Sequence, residues 1–270
     1  MKDLHIHTKY SDGEYDEYEI IERIKNAGIT EFAICDHDTI EGSKKVSDVL
    51  KSQKSDLIFH SGVELTSRVF DIFGGVNVHL LVRDYDFNEP GIAELVQEIS
   101  VLRRKKIQRM VDFIASIYGI RFSDAEIAEV EKQTNSVGKP HMYKLLCKYG
   151  NYDRITYYKN MDELHSEDLR LNELKVLKLA HMGKGYVTLA HPKEVMREYN
   201  LGYKEIDELV AYLKNFGLDA LETEHSLHTK QDIIEFNRIA DKYNLIKTRG
   251  SDYHGENVKP DVFLGMCEKR

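Results

Sequence analysis

In this 270-residue chain, histidines and carboxylates recur where short apolar runs stop. The earliest such place is Asp3-Leu4-His5-Ile6-His7-Thr8, followed by Ser11-Asp12-Gly13. Side chains two apart in a strand face the same way, so His5 and His7 offer two imidazoles to one side. Asp12 and Gly13 turn the chain and bring a carboxylate back over the strand end. Two histidines so placed form half of a metal site, but they also suit an ordinary strand, so matching ligands elsewhere must decide. His37 follows the run 31–35, Glu64 stands near the end of 57–65, and His79 lies within 76–82. His191 closes 185–190, and Asp252 and His254 follow 245–251. Each of these alone reads equally well as a strand-end or core residue. Six histidines and three carboxylates at the ends of most strands do not read that way together.

Nine ligands are enough for two or three ions, because a catalytic zinc takes three protein ligands plus water. Mixed imidazole and carboxylate sets suit Zn, Mn or Fe and disfavour Mg or Ca as sole occupants. Glu64 has two oxygens and can bridge. Ions about 3.5–4 Å apart clamp the attacking and leaving oxygens of an in-line displacement, the arrangement suited to phosphate-ester hydrolysis. A hydroxide generated on the ions would then attack phosphorus. His60, His165, His181 and His228 fall outside the pattern and read as structural or surface residues.

The elements that must position these residues alternate. Amphipathic helices are expected over 15–27, 41–52, 203–216 and 229–243, and strands over 31–35, 57–65, 76–82, 185–190, 219–224 and 245–251. The link through Gly74-Gly75 is too short for a crossover helix, so the strands on either side should meet as a local hairpin. Strand character disappears between Arg83 and Gly185, where a long helix over 92–117 and shorter ones over 122–132 and 141–149 are expected. That block reads as an inserted helical subdomain, with 89–181 interrupting a domain made of 1–88 and 182–270. Alternation alone allows a doubly wound sheet or a barrel. The ligands favour a barrel, because only there do the first and last strands meet at one face.

Composition sets the outer bounds. With 41% hydrophobic residues the chain can bury a full core. A net charge of −8 argues against a duplex-binding module, though not against a phosphorylated substrate once bound cations are counted. Cys35, Cys147 and Cys267 are far apart and imply no disulfide framework, which fits a reducing compartment. No signal peptide or membrane span is expected, so the chain reads as soluble and cytoplasmic.

Six motifs in order resemble the PHP (polymerase and histidinol phosphatase) superfamily. They are Asp3-Leu4-His5-Ile6-His7-Thr8, Ser11-Asp12-Gly13, Asp36-His37-Asp38-Thr39, Gly62-Val63-Glu64, Ala190-His191-Pro192 and Gly250-Ser251-Asp252-Tyr253-His254-Gly255. The Asp36–Thr39 turn, with Gly138-Lys139-Pro140-His141 inside the helical block, looks like the stand-alone metal-dependent phosphoesterases of the tryptophan-operon-linked branch. The resemblance implies a distorted seven-stranded β/α barrel, (β/α)7, holding two or three divalent ions (Mn, Zn or Fe). It implies one ion among His5, His7, Glu64 and Asp252, a second among Glu64, His79 and His191, and a third among Asp12, His37 and His254. Asp252 or His254 would also move protons. The implied substrates are phosphomonoesters of nucleotide type, including nucleoside 3',5'-bisphosphates, or short oligonucleotides. Lys139, His141 and His225 are the candidate substrate contacts. Lys139 stands where the family usually has arginine, and a point charge replaces a planar fork there. Two other activities compete, a metal-dependent amidohydrolase and a histidinol phosphate phosphatase. A non-catalytic metal-binding or regulatory role ranks below both, since all nine ligand positions are filled.

Overall fold

The computed structural model describes residues 1–133, 137–164 and 169–269, so His165 lies outside the described residues. The chain opens with β1 (Lys2–Ile6), α1 (Glu17–Asn26), β2 (Glu31–Ile34), α2 (Glu41–Gln53) and β3 (Ile58–His60). These three strands pair in parallel in the order β1-β2-β3. Helix α1 starts where Asp16 accepts from Tyr18 and Glu19 N–H groups while Glu19 reaches back to the Asp16 N–H, a reciprocal cap. Its Ile20, Ile21 and Ile24 pack with Ile6, Phe32 and Ile34 of the strands.

The expected single strand 57–65 is instead two strands in two sheets. It breaks at Ser61, and β4 (Gly62–Val69) leaves β3 to pair antiparallel with β5 (Val76–Arg83). Gly62 makes the crossing possible, because a Cβ there would lie 2.5 Å from the Ile34 carbonyl oxygen and 2.7 Å from Cys35 Sγ. The hairpin between β4 and β5 is as expected from Gly74-Gly75. After the helical block come β6 (Leu171–Asn172), β7 (Tyr186–Leu189), β8 (Ala220–His225) and β9 (Ile246–Gly250). The second sheet runs β6-β4-β5-β7-β8-β9, and β5 is antiparallel to both of its neighbours. The two-residue β6 interrupts a region expected to lack strands altogether.

The fold is therefore α/β with a largely parallel strand set, arranged as two sheets and not as one continuous closed ladder among the described residues. Single bridges join the sheets at two places, Ile6 with Tyr253 and His37 with Glu64. The first and last strands are neighbours: Asp252 N–H donates to the His5 carbonyl at 2.9 Å and His7 N–H to the Tyr253 carbonyl at 2.9 Å. The buried Asp3 carboxylate reinforces that seam by accepting from Ser251 N–H (2.9 Å), Ser251 Oγ (2.6 Å) and Gly265 N–H (2.8 Å). Leu4, Ala33 and Cys35 of the first sheet meet Leu81 and Ala190 of the second in a small buried cluster.

Between the sheets' strands in sequence lie α3 (Pro90–Tyr118), α4 (Asp124–Gln133), α5 (Lys139–Leu146), α6 (Arg154–Asp162) and α7 (Glu173–Met182). The first half of α3, through Ile92, Leu95 and Ile99, joins the core of the six-stranded sheet together with Val176 and Leu177 of α7. Its second half, through Ile107, Met110 and Ile114, builds a separate core with Leu145, Tyr157 and Met161. Helices α8 (Pro192–Tyr199), α9 (Tyr203–Asn215) and α10 (Lys230–Lys242) cover the later strands. No helix among the described residues is long and apolar enough to cross a membrane.

His60 clamps the two sheets from β3. Its Nδ1 lies 2.6 Å from Asp84 Oδ1 and its Nε2 3.0 Å from Glu31 Oε1. The Asp84 contact, with Glu31 assisting, raises its pKa against the effect of partial burial. A raised histidine pKa contributes stability that is complete below the unfolded value of about 6.5 and fades as pH rises through the folded value. His60→Asn should therefore lower the urea midpoint more at pH 6 than at pH 9. An equal penalty at both would show that the charge of His60 is irrelevant.

Candidate metal centre

The loop after β1 is held rigid from below. Buried Asp36 accepts from Thr8 N–H (2.7 Å), Thr8 Oγ1 (2.7 Å) and Ser11 Oγ (2.7 Å), which fixes the turn that carries Asp12. Burial pushes the Asp36 carboxyl up to about 6 despite these donors and nearby His7. At the other end of the chain Gly250 lets β9 approach β1: a Cβ there would collide with His5 Cβ and lie 2.6 Å from Glu222 Oε1.

Glu64, without solvent exposure, occupies the middle. Its Oε2 lies 3.1 Å from His5 Nε2, 3.1 Å from His7 Nε2 and 3.2 Å from His37 Nδ1. Its Oε1 lies 2.9 Å from His79 Nδ1 and 2.9 Å from His191 Nε2. Asp252 Oδ1 completes one side at 3.2 Å from His7 Nε2 and 3.7 Å from His5 Nε2. On the outer side, Asp12 Oδ1 faces His254 Nε2 at 3.2 Å and His7 Nδ1 at 3.7 Å, and Asp12 Oδ2 faces His37 Nε2 at 3.8 Å. Donor atoms of His5, His7, Glu64 and Asp252 all fall within 4.8 Å of one another. The same holds for His7, Asp12, His37 and His254, for His37, Glu64 and His79, and for His79, His191 and Glu194.

The hydrogen bonds on the far side of the rings test whether cations fit here. His5 Nδ1 faces Glu222 Oε1 at 3.2 Å and His254 Nδ1 faces the Asp252 carbonyl at 2.9 Å. Oxygens of this kind only accept, so each Nδ1 carries the ring proton. In the neutral ring each Nε2 then turns a lone pair toward another carboxylate, Glu64 or Asp12. Two lone pairs that close repel unless a proton or a metal ion lies between them. In addition, both nitrogens of His7 and the Nδ1 atoms of His37, His79 and His191 are buried with no hydrogen bond of acceptable geometry, the last in ion-pair contact with Glu194 Oε2 at 2.9 Å. The donor set fits divalent ions, with outer carboxylates orienting the imidazoles as in known zinc sites.

The electrostatics agree. Burial alone would raise the pKa of Glu64, but His37, His5 and His79 hold it well below the carboxylate range. Burial is likewise overcome at Asp252, by His225, His7 and Lys259. Protons answer this negative charge in the chain by itself. Against the effect of burial, Glu64 and Glu222 lift His5 to about 10, and Asp252 and Glu64 lift His7 to about 9. Burial takes His37 the other way, to about 3.

The structure thus brings all nine expected ligand residues to one place. It treats the three expected substrate contacts differently. Lys139 Nζ pairs with Asp162 Oδ1 at 2.6 Å. His141 Nδ1 accepts the Gly138 N–H at 3.1 Å, and the ring lies close enough to Asp12 to feel its charge. His225 is fully buried; its Nδ1 accepts from Leu227 N–H at 3.1 Å, so the neutral ring's proton is on Nε2, 3.7 Å from Asp252 Oδ2. Four further polar residues were not singled out from sequence: Asp36, Glu194, Glu222 and Lys259. Glu222 accepts from the His191 N–H at 2.8 Å as well as facing His5, and Lys259 Nζ sits 2.6 Å from Asp252 Oδ2. Strand alternation would put Glu222 and Glu224 on one face; a register shift between them in the pairing with β9 leaves Glu222 buried and Glu224 partly exposed, and nothing local signals that shift or Lys259.

Residues 3–226 match the sequence profile of the family described as the PHP domain. A 5'-3' exoribonuclease from Haemophilus influenzae is 26% identical over 259 residues, covering 93% of this chain and 89% of that one. A phosphoribosyl 1,2-cyclic phosphate 1,2-diphosphodiesterase from Eggerthella lenta is 24% identical over 263 residues, covering 95% of each. A crystal structure from Bifidobacterium adolescentis, provisionally described as a metal-dependent phosphoesterase, superposes with a TM-score of 0.73 at 25% identity, covering 98% of this chain and 90% of that one. Strand order, ligand geometry and the profile agree: this chain belongs to the PHP domain family.

Proposed function

We propose that this protein is a metal-dependent phosphoesterase acting on nucleotide-type substrates, nucleoside 3',5'-bisphosphates or short oligonucleotides among them. The observation that carries the reading is Glu64, a buried carboxylate with five imidazole nitrogens within 3.2 Å of its two oxygens. We assign His5, His7, Glu64 and Asp252 to one ion, Glu64, His79 and His191 to a second, and Asp12, His37 and His254 to a third, with Mn, Zn or Fe as occupants. The relatives named above act, by their names, on RNA and on a phosphoribosyl cyclic phosphate, both substrates with more than one phosphate. We read the two bridged sheets as a distorted β/α barrel, and residues 89–181 as a helical cap whose own core begins at Ile107. The unpaired cysteines suit a cytoplasmic location.

Divalent ions bound here would supply Lewis-acid charge for the phosphoryl oxygens and for the attacking water. The chain's own residues do the rest. Lys259 places a cation beside Asp252 and draws an anionic ester to the centre. His141, its Nδ1 occupied by Gly138, carries its proton on Nε2 as a donor for a phosphoryl oxygen. His254, with Nδ1 on the Asp252 carbonyl and Nε2 3.2 Å from Asp12, and Asp252 are the two candidates for moving a proton when not engaged by an ion. His225 holds Asp252 in place without reaching solvent. Lys139 gives up only an exposed ion pair, worth little, if it turns to substrate.

Three outcomes are expected. Adding Mn2+ or Zn2+ to metal-stripped protein at 100 times Kd should stabilise it by about 2.7 kcal/mol, read as a rise in Tm, and Glu64→Ala should abolish the rise. Glu222→Gln should keep the fold and lose about 10–100-fold in metal affinity, because it frees His5 to rotate; unchanged metal content would show that His5 needs no orienting. On a panel of a nucleoside 3',5'-bisphosphate, a short oligonucleotide, histidinol phosphate and an amide, the loaded enzyme should release product from the first two. Turnover of the amide alone would contradict the reading.

A further inference from the structure

Two carboxylates of the centre use their oxygens differently. Both Glu64 oxygens face ring nitrogens within 3.2 Å. Asp252 divides its two. Its Oδ1 faces the ligand rings, 3.2 Å from His7 Nε2 and 3.7 Å from His5 Nε2. Its Oδ2 turns to the Lys259 ammonium at 2.6 Å, with His225 Nε2 3.7 Å away.

The loop that brings Lys259 there is anchored at several points. In the otherwise exposed run 256–261, Lys259 is the half-buried residue. Gly255, at φ 106°, starts the turn, and a Cβ there would collide with Glu14. Glu14 accepts the Asn257 N–H at 3.1 Å, Glu256 accepts from the Tyr15 hydroxyl and from Arg23 Nη1, and the Lys259 N–H donates to the Gly255 carbonyl at 2.9 Å. Burial works against the ammonium, but Asp252, with Glu64 and Asp12 behind it, holds its pKa above the usual lysine value, so Lys259 stays charged. A cation fixed beside a metal ligand weakens the hold on every divalent ion, because like charges repel. A loop that keeps it there therefore serves something other than tight binding. What the contact does fix is how many oxygens Asp252 can offer. With both free, the carboxylate can chelate one ion; with Oδ2 held by an ammonium, it offers Oδ1. Large cations lose most by this. Ca2+ takes about 6–8 oxygen ligands and accepts bidentate carboxylates, whereas Zn2+ is satisfied by about three protein ligands and a water.

We propose that Lys259 is a positioning residue that sets the metal selectivity of the centre: by holding Asp252 Oδ2 it keeps this carboxylate monodentate and disfavours Ca2+ against smaller ions such as Zn2+. The inference rests on the metal-dependent reading and concerns the ion assigned to His5, His7, Glu64 and Asp252. Removing the ammonium has two separable effects. Lost repulsion strengthens Zn2+ and Ca2+ alike, since both carry the same charge, while the freed oxygen favours Ca2+.

Equilibrium dialysis of metal-stripped protein against Zn2+, with Ca2+ as competitor, reads the ratio of affinities without any turnover. Lys259→Met should lower the preference for Zn2+ over Ca2+ at least about tenfold, equal to about 1.4 kcal/mol. Lys259→Arg, which keeps a donor for Oδ2, should retain the wild-type preference. In an Asp252→Asn background, where no carboxylate is left to chelate, adding Lys259→Met should move the preference by less than about twofold, as expected if Lys259 acts through Asp252. Equal changes in both affinities for Lys259→Met, upward from lost repulsion or downward from a loosened loop, would overturn the selectivity role. So would the full shift persisting in the Asp252→Asn background. Failure of the wild type to bind Zn2+ at all would instead overturn the metal-centre reading, an outcome distinct from an unchanged ratio.

Discussion

A carboxylate removed from water needs positive charge close by, and Glu64 has no solvent to provide it. Every other feature of the centre follows from that requirement. Five imidazoles reach its two oxygens from β1 and the loops or strands after β2, β4 and β7. They do so only because the chain's first and last strands lie side by side and because β4 leaves the first sheet at Gly62. The backbone carries strain at the same places: Asp38, His191 and Asp252 have φ of 52°, 23° and 59°. Such conformations cost of order 1–3 kcal/mol each in a non-glycine residue and persist where surrounding contacts over-determine them. Here they turn ligand-bearing loops inward.

Outside the ligands is a layer of acids that do not face the centre's interior but decide how it is presented. Glu222 faces the outer nitrogen of His5, and Glu194 lies 2.9 Å from that of His191, so that in the neutral rings the inner nitrogens offer lone pairs. Asp36 and Asp3 tie down the loop and the seam that bring His7, Asp12 and Asp252 together. Removing any of these would leave the ligands in the chain and take away their aim.

Much of this was legible in the sequence because ligand chemistry is local. His-x-His and Asp252-Tyr253-His254 fall at strand ends as expected, whereas Glu64, expected near one, is the third residue of β4; the need to unite the first ligands with the last demanded neighbouring terminal strands. The hairpin at Gly74-Gly75 was equally readable. What escaped was set by tertiary contact. The break at Ser61 has no turn signal strong enough to divide 57–65 by sequence, because the reason for it is the close approach of Gly62 to Ile34 and Cys35. The antiparallel setting of β5 against β7 depends on the whole sheet order, which alternation does not encode. Glu222 and Lys259 look like ordinary surface-type residues until the fold shows what they touch. His225, expected among the substrate contacts, lies buried with Nε2 3.7 Å from Asp252 Oδ2, a neighbour the sequence does not announce.

The central claim is that Glu64 is the shared ligand of a cluster of divalent ions. Diffraction from crystals of protein loaded with Zn, Mn or Fe, recorded on either side of the metal absorption edge, tests it most directly. The account predicts at least two anomalous peaks within bonding distance of the Glu64 oxygens, one of them also within reach of His5, His7 and Asp252. Anomalous density confined to other parts of the molecule, with Glu64 hydrogen-bonded only to protonated histidines, would contradict it.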